Sequence, residues 1–229
     1  MKTIDINSIP RSSIDRSFYK KQENLYRKIH NNKIRIGVIG TFLVLLTIGS
    51  CIYLFYQEKH EAEVQKDMFQ ATYHFEGKDF QKALEGDGTN KGFLFIAESF
   101  PYTKSANLAC FYIGVAYIHQ KEYDRAILFL KKFQANDLLL AARAWCLLGD
   151  AYSAKKEYAQ AASHYMKAAR YKPNSIYTPG YLMKAAIAFE AYKHYKDAYR
   201  CYQTILEQYP KCSHHDMATK EAGRLSSLL

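Results

Sequence analysis

Apolar and polar residues divide the chain into a polar arm, one long apolar segment and a region of amphipathic helices. Residues 36–56 are 21 consecutive residues without a charge, and a helix of that length spans about 31 Å, close to the hydrocarbon thickness of a bilayer. A soluble core helix, the alternative, would normally keep a polar stripe. Residues 57–229 instead place apolar side chains three or four positions apart. The pattern predicts an all-α protein with a single transmembrane helix at 36–56.

The charges that flank the apolar segment predict its orientation. The fifteen residues before it carry five cations, Lys21, Arg27, Lys28, Lys33 and Arg35. The fifteen residues after it carry two lysines among four acidic residues. Because positive charge stays on the cytoplasmic side, we expect a cytoplasmic arm at residues 1–35 and a translocated domain at residues 57–229. The arm is expected either to lie on an anionic leaflet as an interfacial helix or to remain a solvated tail.

The distribution of charge also bears on the class of protein. The formal net charge is +10, but residues 1–35 hold 9 basic and 3 acidic residues, whereas residues 57–229 hold 23 and 19. The surplus therefore lies mainly in the arm, which disfavours a globular nucleic-acid-binding domain. With 48% apolar and 15% aromatic residues, the chain is also too apolar to be disordered.

Cys51 leaves a second form of membrane attachment open. Residues 48–51 read Ile-Gly-Ser-Cys, which resembles a bacterial lipobox whose cysteine is acylated after cleavage. The apolar residues after Cys51 and the length of the arm before the apolar segment argue against this alternative, and against a cleavable signal. Either form of attachment places residues 57–229 outside the cytoplasm.

A short motif recurs four times along residues 57–229. Each copy has an aromatic residue followed three positions later by alanine, at Phe80/Ala83, Tyr123/Ala126, Tyr158/Ala161 and Tyr195/Ala198. The pattern resembles the tetratricopeptide repeat. The fit is strongest for residues 142–175, where the signature positions hold Trp145, Leu148, Gly149, Tyr152, Ala161, Tyr165, Ala168 and Pro173.

The resemblance implies an α-solenoid of antiparallel helix pairs after the membrane segment. The pairs are expected at about 64–101, 107–140, 142–175 and 179–212, with a capping helix at 214–229. Small residues let the paired helices approach closely, and large residues fill the gaps between pairs. The residues expected to pack the repeats are Gly114, Tyr117, Ala126, Trp145, Leu148, Gly149, Tyr152, Ala161, Tyr165, Ala168, Pro173, Ala186, Ala198, Tyr202 and Pro210.

In such arrays the first helices line a concave groove that binds peptides or partner helices. The repeat register predicts a groove lined by Phe111, Tyr112, Val115, His119, Arg143, Cys146, Asp150, Met183 and Ile187. Chaperone-tail binders of this family carry Lys and Asn at the fifth and ninth positions, which are Cys146 and Asp150 in the third repeat here, so that carboxylate clamp is absent. The alternative is that several of these residues contact neighbouring helices or a capping segment.

The sequence carries no motif for catalysis, a cofactor or a metal. It has no Walker loop, HExxH or CxxC, and residues 86–92 are interpreted as a turn that interrupts a helix. Cys212, His214, His215 and Asp216 could ligate a metal, although such a turn is more often solvated. We expect a non-enzyme without cofactor or metal, and free thiols at the cysteines.

The arm, the single span and the translocated repeats together resemble the YfgM family of bacterial inner-membrane proteins. This resemblance implies a non-catalytic periplasmic adaptor that links the secretion translocon to chaperones or clients, with protein or peptide partners in the groove and no nucleic acid. Two alternatives remain open: a cell-envelope assembly factor of the lipoprotein type, and an accessory subunit whose groove holds one dedicated partner helix. The sequence leaves the oligomeric state open.

Overall fold

A computed structural model describes the backbone of residues 13–134 and 139–229, so that predictions about residues 1–12 and 135–138 lie outside the described part. That part is all-helical, without a β-strand. Its helices are α1 (Ser13–Glu76), α2 (Phe80–Glu85), α3 (Phe93–Ser99), α4 (Lys104–His119), α5 (Tyr123–Lys132), α6 (Leu140–Ala154), α7 (Tyr158–Arg170), α8 (Thr178–Ala191), α9 (Tyr195–Gln208) and α10 (His215–Ser226). By internal contacts the chain divides between Tyr56 and Gln57.

The first division of the chain contains one helix that is long and apolar enough to cross a membrane. The segment Gly37–Leu54 of α1 has a mean hydropathy of 2.1, and none of it is buried by protein. The core helix of a soluble domain would be covered by its own fold. By length and composition, this segment is a candidate membrane span.

The second division, residues 57–229, is a tetratricopeptide-like solenoid of helix pairs. Repeat 1 pairs residues 57–76 of α1 with α2 and α3, and repeats 2, 3 and 4 are α4/α5, α6/α7 and α8/α9. Each helix from α2 to α10 packs mainly on its neighbours in sequence, as expected of a linear array. One core cluster includes Val64, Phe93 and Ile113, and a second includes Tyr202 and Leu225.

The turn between the paired helices has the same backbone in all four repeats. Lys78, Lys121, Lys156 and Lys193 adopt a left-handed conformation, with φ of 61°, 62°, 63° and 67°. In repeat 3 the amide of Lys156 donates to the carbonyl of Ser153, and that of Glu157 to Tyr152, both at 2.9 Å. This is a Schellman C-cap, and the other three turns have the equivalent bonds. The shared turn extends the internal similarity to repeat 1.

The paired helices approach closely where the first helix carries a small residue. A Cβ atom on Gly149 would lie 2.5 Å from Cε1 of Tyr165, and one on Gly114 would lie 2.5 Å from Cγ of Leu130. Ala186 is fully buried at the corresponding place in repeat 4. The side chain of the second helix therefore fills the space that a larger residue on the first helix would need.

Repeat 1 departs from the others because its second helix is split. Gly86 leaves α2 with φ of 97° and pairs with Lys91 through a short antiparallel bridge before α3 begins. The Asp87 carboxylate accepts the amides of Thr89 and Asn90, at 2.9 and 2.6 Å. These donors, with the Asn90 amide bond the stronger influence, hold the pKa of Asp87 well below its ordinary value. The predicted interrupting turn is present.

The last helix covers the end of the array. Ala218, Ala222 and Leu225 of α10 are 0%, 5% and 0% exposed, and the helix packs on α9. At the other end, the carboxylate of Glu61 accepts the amides of Lys104 and Ser105 at 2.8 and 2.9 Å. This bond satisfies donors at the N-terminus of α4 and fastens it to α1.

Candidate functional site

The candidate site is the face formed by the first helices α4, α6 and α8, called here the first-helix face. The structure divides the predicted groove residues into three groups. Phe111, Cys146 and Met183 are buried, at 6%, 7% and 5% exposure, and belong to the core rather than to a binding surface. Burial raises the pKa of the Cys146 thiol to about 11, which keeps it protonated and unreactive. These three side chains contact neighbouring helices, which was the alternative to a position in the groove.

Two further predicted residues are occupied by contacts with repeat 1. The ring of Tyr112 stacks on Phe93 with centroids 5.0 Å apart. The ring of His119 stacks on Phe80 at 4.6 Å. Both side chains therefore join repeat 2 to repeat 1. The repeat register did not predict these contacts, because their partners Phe80 and Phe93 begin α2 and α3, the two parts of the interrupted helix.

The remaining residues form a surface. Ile187 is 55% exposed, Arg143 is exposed, and Val115 and Asp150 are half-buried. Among the ion pairs of the described residues, none includes Arg143. The face therefore offers apolar contact at Val115 and Ile187 and an available guanidinium at Arg143.

An ion pair crosses the face between repeats 3 and 4. The ammonium of Lys184 donates to both carboxylate oxygens of Asp150, at 2.7 and 2.9 Å. The Tyr165 hydroxyl donates to the same carboxylate at 2.7 Å, and burial followed by the Asp150 charge raises the pKa of that hydroxyl. This network holds α8 against α6 and compensates the negative charge of Asp150. On this face, the Arg143 guanidinium is therefore the charge that is most available to a partner.

A second network of the same kind ties the capping helix to repeat 4. The Tyr202 hydroxyl donates to Glu190 at 2.9 Å, and the Arg224 guanidinium donates to Glu190 and to Glu221. Sequence reasoning missed both networks, because each joins residues 12 to 34 positions apart in different helices. The recurrence of a tyrosine at positions 165 and 202, one repeat apart, was the available signal.

Acid sensitivity is expected from His164 on α7. Its ring stacks on Tyr152 at 5.3 Å, and its buried Nδ1 atom has no hydrogen-bond partner. Burial, and then the charges of Lys167 and Lys131, lower the pKa of His164 from 6.5 to about 4. Below pH 6.5 the imidazole of His164 binds a proton in the unfolded chain but stays neutral in the folded chain. The free energy of unfolding therefore decreases as the pH falls toward 4.

The expected size of this loss is about 2 kcal/mol, because solvent screens a half-buried ring and reduces the roughly 3 kcal/mol that the full shift represents. His164→Phe keeps the stacking and removes the titration. Urea unfolding of the detergent-solubilised chain, followed by the fluorescence of Trp145, the only tryptophan, measures stability at pH 7 and 4.5. The drop in stability between these pH values should be smaller in the variant. An equal drop in both proteins would assign the acid sensitivity to other groups.

The structure forms no metal centre or disulfide within its described residues. Cys212, His214, His215 and Asp216 are not brought together as a set of three or more ligands. The cysteines at 51, 110, 146, 201 and 212 are all free. Of the residues predicted to pack the repeats, Pro173 and Pro210 are exposed, whereas the glycine and alanine positions are buried.

Comparison with known proteins bears on repeat 3. Residues 142–175 match the tetratricopeptide repeat family, and these are the residues in which the repeat signature is most complete. None of the curated proteins matches the chain. Tetratricopeptide repeats bind protein partners and are generally non-catalytic. The chain thus contains a tetratricopeptide repeat within an all-helical array, which indicates a scaffold for protein–protein interaction.

Proposed function

We propose that this protein is a membrane-anchored adaptor that works on the periplasmic side of a bacterial inner membrane and brings the secretion translocon together with chaperones or client proteins. The observation that carries the proposal is the tetratricopeptide match at residues 142–175, within an array that follows an apolar helix. Repeat arrays present long surfaces for protein segments, and the apolar helix supplies the membrane attachment.

The charges around the apolar helix support the periplasmic placement. Five cations precede it within fifteen residues and two follow it, which favours a cytoplasmic N-terminus. Cys51 lies inside α1, within the apolar segment Gly37–Leu54. The apolar residues 52–56 that follow this cysteine and the 35 residues before the apolar segment favour a retained span over the processed lipoprotein of the envelope-assembly alternative.

The first-helix face indicates the chemistry of the bound segment. Val115 and Ile187 supply apolar contact, and Arg143 supplies a cation without an ion-pair partner among the described residues. Asp150 is already paired with Lys184. A segment with apolar side chains and one carboxylate beside them would suit the face. The carboxylate would pair with the Arg143 guanidinium, which the bound segment would cover.

Photocrosslinking in native membranes tests this proposal. Photoreactive residues replace Arg143 and Ile187 on the first-helix face, and Ser163, which is exposed on the second helix α7, serves as the matched control. We expect crosslinks to translocon subunits or periplasmic chaperones from the two face positions, at least about fivefold above the control, since a groove partner contacts one face only. Crosslinked adducts are identified by mass spectrometry.

Two outcomes would contradict the adaptor function. Equal recovery from the control position would remove the first-helix face as the binding site. Recovery of outer-membrane assembly components instead of translocon or chaperone proteins would support the envelope-assembly function.

Charge reversal at Arg143→Glu should weaken the crosslinks at Ile187 if an acidic segment occupies the face.

A further inference from the structure

A row of lysines marks one edge of the repeat array. Lys78, Lys121, Lys156 and Lys193 occupy the same position of the same turn in the four repeats, and all four are exposed. We call this set the lysine ridge. Its members are 43, 35 and 37 positions apart in sequence, and each follows the first helix of its repeat.

The turns that carry the ridge lie next to one another. The Lys155 ammonium donates to the Asp124 carboxylate at 2.6 Å, which joins the turn of repeat 3 to the start of α5. The Gln120 amide donates to the Gln81 side chain at 3.3 Å, which joins the turn of repeat 2 to α2. Repeat 4 continues the row because α8 packs on α7. The turns that carry the four lysines therefore follow one another along one edge of the array.

Five acidic residues at this edge form ion pairs with cations outside the ridge. Asp79 pairs with Lys82, and Glu122 pairs with Arg125, both at 2.8 Å. Lys155 pairs with Asp124 and Glu157, and Asp197 pairs with Arg200. No ion pair of the described residues includes a ridge lysine. Lys155 serves two carboxylates, and Glu76 at the end of α1 is in none of these pairs. The edge therefore holds six acidic residues against four paired cations and four ridge lysines, a surplus of two positive charges.

The turn itself does not require lysine. A left-handed residue after a helix is most easily glycine, or asparagine, because other side chains crowd the backbone there. A cation at the C-terminus of a helix interacts favourably with the helix dipole, but in repeat 3 Lys155, the C-cap residue of α6, already supplies one. Lysine in all four turns, against the backbone preference, indicates that the charge at these positions is used outside the fold.

We propose that the lysine ridge binds the phosphate headgroups of an anionic phospholipid surface. This inference rests on the proposed function for the membrane span, which keeps a bilayer within reach of residues 57–229. Lysine is a compact charge on a flexible stem and suits mobile phosphates, whereas fixed carboxylates on a protein partner favour the planar fork of arginine. Single charges, one for each repeat, suit a surface that carries many equivalent anions.

A nucleic acid is a poorer fit to the same charges. Binding of single strands needs exposed aromatic rings on which bases stack. The aromatic residues nearest the ridge, Phe80, Tyr123, Tyr158 and Tyr195, are all half-buried, and Phe80 already stacks on His119. These rings pack the repeats and leave the ridge as a row of charges alone.

Lysine footprinting of the full chain tests the ridge. The protein is reconstituted into nanodiscs of phosphatidylcholine, or of phosphatidylcholine with about one third phosphatidylglycerol, and labelled briefly with an amine-acetylating reagent. We expect the labelling of Lys121, Lys156 and Lys193 to fall about fivefold in the anionic discs, with recovery in about 0.5 M NaCl, because salt screens headgroup attraction. Lys167 and Lys220, exposed on α7 and α10, are internal controls and should label equally in both discs.

A variant separates the ridge from its surroundings. Replacement of the four ridge lysines by asparagine removes the charge and keeps the left-handed turn, and circular dichroism checks that the helices persist. Lys196 is exposed at the start of α9, three residues after Lys193, and we expect anionic discs to protect it as well in the unchanged protein. In the variant this lipid-dependent protection of Lys196 should be lost. Protection that persists at Lys196 would overturn the proposal.

The remaining outcomes are also decisive. Insertion into both discs without protection of the ridge would overturn the ridge proposal and leave the anchor and the first-helix face intact. Failure to insert into either disc would overturn the membrane anchor, and the ridge proposal with it. Protection by an added oligonucleotide in neutral discs, with none from phosphatidylglycerol, would assign the ridge to nucleic acid and overturn the lipid proposal.

Discussion

Gly149→Ala is expected to lower the free energy of unfolding of residues 57–229 by about 2 kcal/mol, although alanine is the better helix former. The new methyl group would lie 2.5, 2.6 and 2.9 Å from three ring atoms of Tyr165. That ring is buried and its hydroxyl donates to Asp150 at 2.7 Å, so it cannot move aside. Overpacking of this kind costs about 1–3 kcal/mol, which exceeds the gain in helix propensity of at most about 1 kcal/mol.

Gly223→Ala in α10 is the matched control. A Cβ atom there would have no other atom within 4 Å, so the same substitution should raise stability by about 0.5–1 kcal/mol through helix propensity alone. Urea unfolding followed by Trp145 fluorescence measures both variants. Stabilisation by Gly149→Ala, or equal effects at the two sites, would show that α6 and α7 are not packed as closely as the structure has them.

Leu225→Ala is expected to cost about 3 kcal/mol. Leu225 is fully buried between α10 and the last repeat, and truncation of a buried leucine to alanine costs about 2–5 kcal/mol. The variant tests whether α10 is an integral part of the array rather than a tail that lies on it.

Leu228→Ala provides the comparison for this second prediction. Leu228 follows the same helix but is 59% exposed, so its truncation should change stability by less than about 0.5 kcal/mol. The urea midpoints of the two variants, measured side by side, should differ clearly. A loss below about 1 kcal/mol at Leu225 would mean that the last helix contributes little to the core of the solenoid.

The repeat architecture was predictable from sequence because its packing rules are local. The positions of Gly114, Gly149 and Ala186 follow directly from helix-to-helix clearance, and aromatic-to-alanine spacing marks each second helix. The interruption of the second helix in repeat 1 was visible as a cluster of glycines between two apolar stretches. These features need only the residues of one repeat and its register.

The surface of the first helices was only partly predictable. Register alone assigns Phe111, Cys146 and Met183 to the groove, but the structure buries all three. The fifth residue of a repeat lines the groove or is buried in the core, depending on the distance between adjacent first helices. That distance is set by side chains that are far away in sequence. The ion pair of Asp150 and Lys184 lies beyond sequence reasoning for the same reason, because it joins two repeats.

Packing between sequence neighbours has a consequence for how the domain is made. Each helix from α2 to α10 has most of its contacts with the helices just before and after it. Contact order is therefore low, and the array can fold progressively as the chain emerges. Within this domain residues 57–76 are synthesised first, and each later helix pair can pack on the completed surface of the pair before it. The apolar side chains of an unfinished chain are therefore exposed only one repeat at a time, and the core is closed when α10 arrives.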